Sequence, residues 1–280
     1  MMAKTTPHMM MLALLLACSI CLGGSERGAP TANQPLTTVL IVSGISKDPN
    51  DQANKAQAVS DLRDGLLKHM GVDARRLTIL AADQPDTSAA SSLQSTASQI
   101  ARTMDTLAAA IRPGDRFVFY YIGQANAAGG ELRFNLPGPD LTQKELADRL
   151  KAVKAGTQLI VLDCPCAGLA AKALTAANRA VVCASTATQP LATRFSPHFI
   201  HALNQPQTDA NSDGKVSLLE AFTETAKEIE QWYRQQGLLP TETPCLEDDG
   251  DGMPSERPWR HQTEGGDGLK AAMFLLTEGR

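Results

Sequence analysis

The sequence predicts an α/β protein, a three-layer sandwich whose mostly parallel sheet of about six strands is covered by helices on both faces. Three observations carry this. From Leu36 onward, short apolar and β-branched runs alternate with longer amphipathic stretches, the pattern of strands joined by crossover helices. The candidate strands Thr37 to Ser43, Phe117 to Ile122 and Gln158 to Asp163 are close to continuously apolar, as strands must be when helices cover both faces. No linker-like shift of composition interrupts the alternation, and 280 residues, 43% of them hydrophobic, suffice for a large core.

Taken in order, residues 1–24 read as a secretory signal peptide: Lys4 precedes the apolar run Met9 to Leu16, and small residues follow from Ala17 to Ser25. Leu15-Leu16-Ala17-Cys18 resembles a bacterial lipobox, in which Cys18 would carry a lipid and give the chain its one route to a membrane; ordinary cleavage near Gly23 or Gly24 is the alternative. Either way the mature protein is expected to be exported, to the periplasm, the cell envelope or the medium. The α/β domain spans residues 36–204. After the first strand, Ala53 to Met70 is an amphipathic helix closed by Gly71, Arg76 to Ala81 is a second strand, and Leu93 to Ile111 is a helix stopped by Pro113-Gly114. Phe117 to Ile122 is followed by a short edge strand at Glu131 to Leu136 and a helix at Gln143 to Lys154. Next come the strand Gln158 to Asp163, a helix at Ala167 to Ala176, a strand at Arg179 to Ala184 and a helix at Phe195 to Leu203. Residues 205–236 add an ion-binding loop and its helix to the same domain. Residues 237–280 form an irregular acidic segment, from which Ala271 to Leu276 returns to the sheet as a last strand. A net charge of −4 without a basic stripe argues against nucleic acid as a partner.

The strongest single motif is Asp209 to Glu220, which matches the twelve-residue EF-hand calcium loop at every diagnostic position. Side-chain oxygens of Asp209, Asn211 and Asp213 converge on a hard cation because the chain turns sharply at Gly214. Lys215 contributes its backbone carbonyl, Ser217 a direct or water-mediated ligand, and Glu220 both carboxylate oxygens from the start of the helix Leu218 to Gln236. Calcium is the cofactor this predicts; an acidic turn capping a helix is the plainer alternative. A weaker second loop follows. Glu247, Asp249 and Asp251 occupy its first, third and fifth places and Gly252 its sixth, but Pro258 stands where a twelfth-position Glu is required.

Several short motifs resemble the caspase and legumain clan of cysteine peptidases. They are Tyr120-Tyr121-Ile122-Gly123 at one strand end, Leu162-Asp163 followed by Gly168 at the next, and Ala184-Ser185-Thr186-Ala187-Thr188-Gln189 after the following strand. The calcium loop with Thr241-Glu242-Thr243-Pro244 and the Asp-Gly-Asp-Gly turn is similar to exported bacterial legumain-like proteins. The resemblance runs from Thr37 to Leu276. It implies a caspase-like fold, reacting groups at two strand ends, and a specificity pocket for which Ser185 and Gln189 are the candidates.

The departures decide the expected function. The clan's dyad is a His in Gly-His-Gly and a Cys in Asp-Ala-Cys-x-Ser-Gly; here the segments read Gly123-Gln124-Ala125 and Asp163-Cys164-Pro165-Cys166-Ala167-Gly168, with the Asp-to-Gly spacing unchanged. Gln124 cannot take a proton, and Pro165 has neither a nucleophile nor the backbone N–H that would help an oxyanion, typically a term of about 3 kcal/mol. The expected protein is a calcium-binding pseudopeptidase, a binding or regulatory module whose cleft holds a peptide or protein segment. Two alternatives stay open: an endopeptidase using Cys164 or Cys166 with a distant base (His69, His198, His201 or His261), and a structural cell-envelope protein. Of the other cysteines, Cys245 is the one expected in a loop and most available for a disulfide, and Cys183 packs as a small hydrophobe. Cys164 and Cys166 without further ligands make a poor zinc site.

Overall fold

The computed structural model describes residues 35–82, 93–260 and 265–277; the signal-peptide and lipobox readings, with Cys18, and His261 lie outside the described residues. β1 (Thr37–Ser43) is buried along nearly its whole length. The chain leaves it for α1 (Pro49–His69), which Pro49 opens and Asp48 caps by accepting from Asp51 N at 2.9 Å. β2 (Leu77–Ala81) and the two-residue β3 (Leu93–Gln94) follow, then α2 (Ala97–Ala110), capped by Thr96. After β4 (Arg116–Ile122) come β5 (Ala125–Ala128), β6 (Glu131–Phe134) and β7 (Leu141–Thr142), and then α3 (Gln143–Ala152), whose entry is a reciprocal capping box between Thr142 and Glu145. β8 (Thr157–Asp163), α4 (Ala171–Leu174), β9 (Arg179–Cys183) and α5 (Phe195–Asn204) continue the alternation. α6 (Leu218–Gln236), β10 (Cys245–Glu247) and α7 (Leu269–Met273) close the chain.

The main sheet has seven strands in the order β10-β9-β8-β4-β1-β2-β3, and every pairing is parallel except that of β10 with β9. Ser43, Ile122 and Asp163 are register partners, so β1, β4 and β8 end at one level. Successive residues of β4 serve two cores: Val118, Tyr120 and Ile122 pack with α1, α5 and α6, while Phe117, Phe119 and Tyr121 pack with α2, α3 and α4. Burying each such side chain contributes about 1.5–3 kcal/mol, and the two-sided burial explains why these strands read as unbroken apolar runs.

Four expectations are corrected. Glu131 to Leu136 is not an edge of the main sheet; β6 belongs to a separate antiparallel sheet, β5-β6-β7. The helix expected from Leu93 begins at Ala97, because Thr96 caps it and Leu93 and Gln94 pair with β2. Ala271 to Leu276 is not a returning strand. Its Ala and Met residues favour helix and it lacks β-branched residues, so it holds the end of α7 and then a single bridge from Leu275 to Ser217. The added strand is β10, too short for periodicity to reveal, and it carries Cys245, which is 2% exposed rather than available in a loop.

Candidate functional site

The carboxyl ends of β1, β4 and β8 open into a cleft of about 110 Å³ lined by Asp51 and Lys55 of α1, by Gln124, Asp163 and Pro165, and by Thr193 before α5. In an open α/β sheet this is where ligands bind. The floor is tight. A β-carbon at Gly44 would stand 2.1 Å from Tyr121 Oη, and one at Gly123 would stand 2.9 Å from Gly44 Cα, so glycine is required where the two strand ends touch. Tyr121 Oη donates to the Gln124 carbonyl at 2.7 Å, which fixes the backbone that carries the Gln124 side chain.

Lys55 is the cleft's built-in cation. It is 7% exposed, donates to Gly44 O at 3.2 Å, Ile45 O at 2.6 Å and Ser46 Oγ at 3.0 Å, and stands 3.7 Å from Asp51 Oδ2. A buried ammonium survives because these acceptors replace its water. Sequence reading missed it. Its trace is spacing: Lys55 falls on the stripe that Ala58, Leu62 and Leu66 continue into the core, an odd place for a charge unless the fold supplies acceptors for it.

Asp163 lies beneath the cleft, 6% exposed. It accepts from Ser196 N at 2.9 Å and from the hydroxyls of Ser196 and Thr193, and Ser196 Oγ is 3.0 Å from Tyr120 Oη. Burial raises its carboxyl above the usual range, and the Ser196 and Thr193 bonds pull the other way. α5 has no side-chain cap from its own flank; Asp163 supplies that anion across the fold.

The turn after Asp163 is closed on itself. Ser185 Oγ donates to Cys164 O at 2.9 Å and accepts from Ala167 N at 3.1 Å; Cys166 N donates to Gln189 O at 2.9 Å, and Gly168 N to Ser185 O at 3.0 Å. Three amides of the turn are therefore bonded to the segment after β9, and Pro165 has none. Cys166 sits in the left-handed region at φ +54°, a strain of about 1 kcal/mol that the closed turn holds. Cys164 has no exposed surface and Cys166 is 4% exposed. Burial raises the Cys166 thiol and pushes the Cys164 thiol well above its ordinary range.

The pocket candidates and histidines fall elsewhere. Ser185, fully buried, staples the turn through its hydroxyl. Gln189 takes Thr186 N at 2.9 Å and Thr243 N at 2.8 Å and donates to Thr243 Oγ1 at 2.9 Å, so it ties the turn to the segment before β10. His198 and His201 share Glu228 at 3.1 and 2.7 Å, and His69 meets Asn204 at 2.9 Å. His69 lies fourteen residues beyond Lys55, about 20 Å along α1. Cys183 and Cys245 are register partners across β9 and β10, both buried.

The loop Asp209 to Glu220 has its oxygens turned inward. Asp209 accepts from Asp213 N at 3.0 Å and Gly214 N at 2.9 Å, Asn211 from Asp213 N at 2.9 Å, and Asp213 from Lys215 N at 2.9 Å. Gly214 takes the left-handed turn at φ +80°. Glu220 bonds Ala210 N and Asn211 N through one oxygen and Ser217 through the other, closing a capping box on α6. Asp209, Asn211, Asp213, Ser217 and Glu220 thus belong to one loop closed by its own hydrogen bonds. In the second acidic turn, Glu247 and Asp249 come together, whereas Asp251 bonds Met253 N at 2.6 Å.

No protein-family model matches the sequence, and no curated protein matches it. Among solved structures, the chain is similar to the Drosophila initiator caspase Dronc, with a TM-score of 0.50 at 11% identity over 76% of this chain and 79% of that one. The fold is therefore caspase-like, built on a central sheet of seven strands.

Proposed function

We propose that the chain is an exported, calcium-binding, legumain- and caspase-like pseudopeptidase whose strand-end cleft holds a peptide or protein segment without cutting it. One observation carries the reading: the cleft persists at the strand ends with Gln124 and Pro165 in its wall, while the thiols on either side of Pro165 are buried in a bonded turn. The cleft supplies binding groups in place of reacting ones. The Gln124 amide offers both a donor and an acceptor, matching a peptide group, and Pro165 and Ile122 offer apolar wall. Calcium in the loop Asp209 to Glu220 would stiffen the junction of α5 and α6. That junction is already bonded to the chain's C-terminal segment through Leu218 N to Phe274 O at 2.8 Å and Val216 N to Thr277 Oγ1 at 2.7 Å.

The test is a peptide-library assay on the purified mature chain under reducing conditions, with and without calcium, scoring capture and cleavage beside Gln124→Ala and a Cys164→Ala, Cys166→Ala double variant. Capture without cleavage, lost in Gln124→Ala while the fold is kept, supports the proposal. Calcium-dependent cleavage that disappears in the double variant overturns it in favour of a relocated nucleophile. A folded, calcium-stabilised chain that neither captures nor cleaves overturns it in favour of a structural envelope role.

A further inference from the structure

Where β10 ends, Glu247 has no exposed surface. Its Oε1 accepts from Gly250 N at 2.8 Å, Gly252 N at 3.3 Å and Thr175 Oγ1 at 2.7 Å, but Oε2, also buried, has no hydrogen-bond partner. A buried carboxylate oxygen without a partner is costly to hold. The chain then folds back, because Leu246 and Ser255 exchange both backbone hydrogen bonds, at 2.9 and 2.8 Å, and Asp249 is brought beside Glu247. Asp267 arrives from twelve residues past Ser255. It is 4% exposed and is locked against the same loop, accepting from Asp248 N at 2.8 Å and Ser255 N at 2.9 Å.

The result is three carboxylate oxygens, one each from Glu247, Asp249 and Asp267, all within 4.8 Å of one another. Calcium binds oxygen at about 2.3–2.6 Å, so ligands on opposite sides of the ion stand about that far apart. The neighbouring charges are otherwise engaged. Lys270 Nζ donates to the Asp248 carbonyl, and the Asp248 carboxylate takes Gly268 N at 2.8 Å and Ala271 N at 2.6 Å at the start of α7. Among the described residues, no basic side chain forms a direct ion pair with Glu247, Asp249 or Asp267; buried Arg179 attracts Glu247 without bonding it, its guanidinium donating to Gln158 Oε1 and the Leu174 carbonyl.

We propose that Glu247, Asp249 and Asp267 form a second divalent-cation site, sized and charged for calcium, in which Asp267 replaces the missing twelfth-position Glu. The ion clamps the chain at Asp249 and at Asp267 onto the edge strand β10. This site stands apart from the loop Asp209 to Glu220, and either can fail alone.

The experiment is calcium titration by calorimetry on the metal-stripped mature chain, with limited proteolysis of the segment 248–268 as a second readout. Two sites are expected. Asp249→Asn and Asp267→Asn should each weaken one site at least tenfold, leave the other intact and expose the segment to protease despite calcium, while Glu220→Gln should weaken only the other site. If Asp267→Asn does not fold, Asp249→Asn decides, because its side chain is exposed and an amide oxygen can still accept from Asp251 N. Unchanged affinity and stoichiometry in Asp249→Asn would overturn the proposal, whatever Glu220→Gln does. A single site lost in Asp249→Asn but kept in Glu220→Gln would uphold this site and remove the other.

Discussion

Glu242 gives the fold a pH dependence that can be measured directly. Its side chain is 2% exposed, accepts from Arg194 N at 2.7 Å and Tyr233 Oη at 3.2 Å, and has Arg194 Nη1 at 3.9 Å. Burial outweighs these partners and raises its carboxyl from 4.5 to about 7. In the unfolded chain the group ionises at its ordinary value. Between 4.5 and about 7 the folded state therefore keeps a proton that the unfolded state has released. Stability from this group is greatest below that window, falls as pH rises through it, and is flat above it. At about 1.4 kcal/mol per pH unit, the loss is about 3 kcal/mol. Glu242→Gln imitates the protonated acid at every pH and lacks this loss. Urea denaturation in EDTA from about pH 5 to about pH 8 should show the variant gaining up to about 3 kcal/mol on the parent as pH rises. A stability difference that does not change with pH would refute the reasoning. The consequence reaches the cleft, because the next residue, Thr243, holds Gln189, whose carbonyl holds Cys166 N.

Lys55→Met leaves the carbonyls of Gly44 and Ile45 without their cation and should cost about 3 kcal/mol; a thermal melt within a degree of the parent would contradict the buried clamp. Cys164 and Cys166 should resist iodoacetamide in the native protein at pH 8 and react on denaturation, as intact-mass measurement can show, because burial raises both thiols. Glu220→Gln should remove most of the calcium-induced rise in melting temperature that its loop provides, and an undiminished rise would assign that effect to other ligands.

The fold was legible where burial is two-sided. β1, β4 and β8 are apolar on both faces, and no other element type produces such runs beside capped amphipathic helices. What stayed hidden depends on contacts between distant segments. Cys245-Leu246-Glu247 has no periodicity, and it is a strand only because β9 presents a free edge to it. Ser185 looked like a pocket residue by its place after β9, yet its hydroxyl is spent on Cys164 O and Ala167 N. Lys55 and Asp163 were readable as residues but not as a site, since Lys55 reaches back to the loop after β1 and Asp163 reaches forward thirty residues to the start of α5, and only the sheet brings the two together. Asp267 has no local motif at all; only the fold brings it to Glu247.

Gln124 and Pro165 line one cleft at adjacent strand ends, so the idea that a peptidase dyad once stood there can be tested by rebuilding it. Pro165→Cys returns a thiol and a backbone N–H at the same stroke, but the thiol would have no base and would titrate near an ordinary cysteine, about 8.5. Gln124→His alone returns a base with nothing to activate. Together they should form an imidazolium–thiolate pair, because Tyr121 Oη already fixes the Gln124 backbone. The thiolate fraction at neutral pH would then rise well above that of the single variant. The readout is the pH dependence of iodoacetamide alkylation, which reports the thiol's acidity without requiring a known substrate. A double variant whose alkylation tracks the Pro165→Cys variant at every pH would mean that the two strand ends do not meet in dyad geometry.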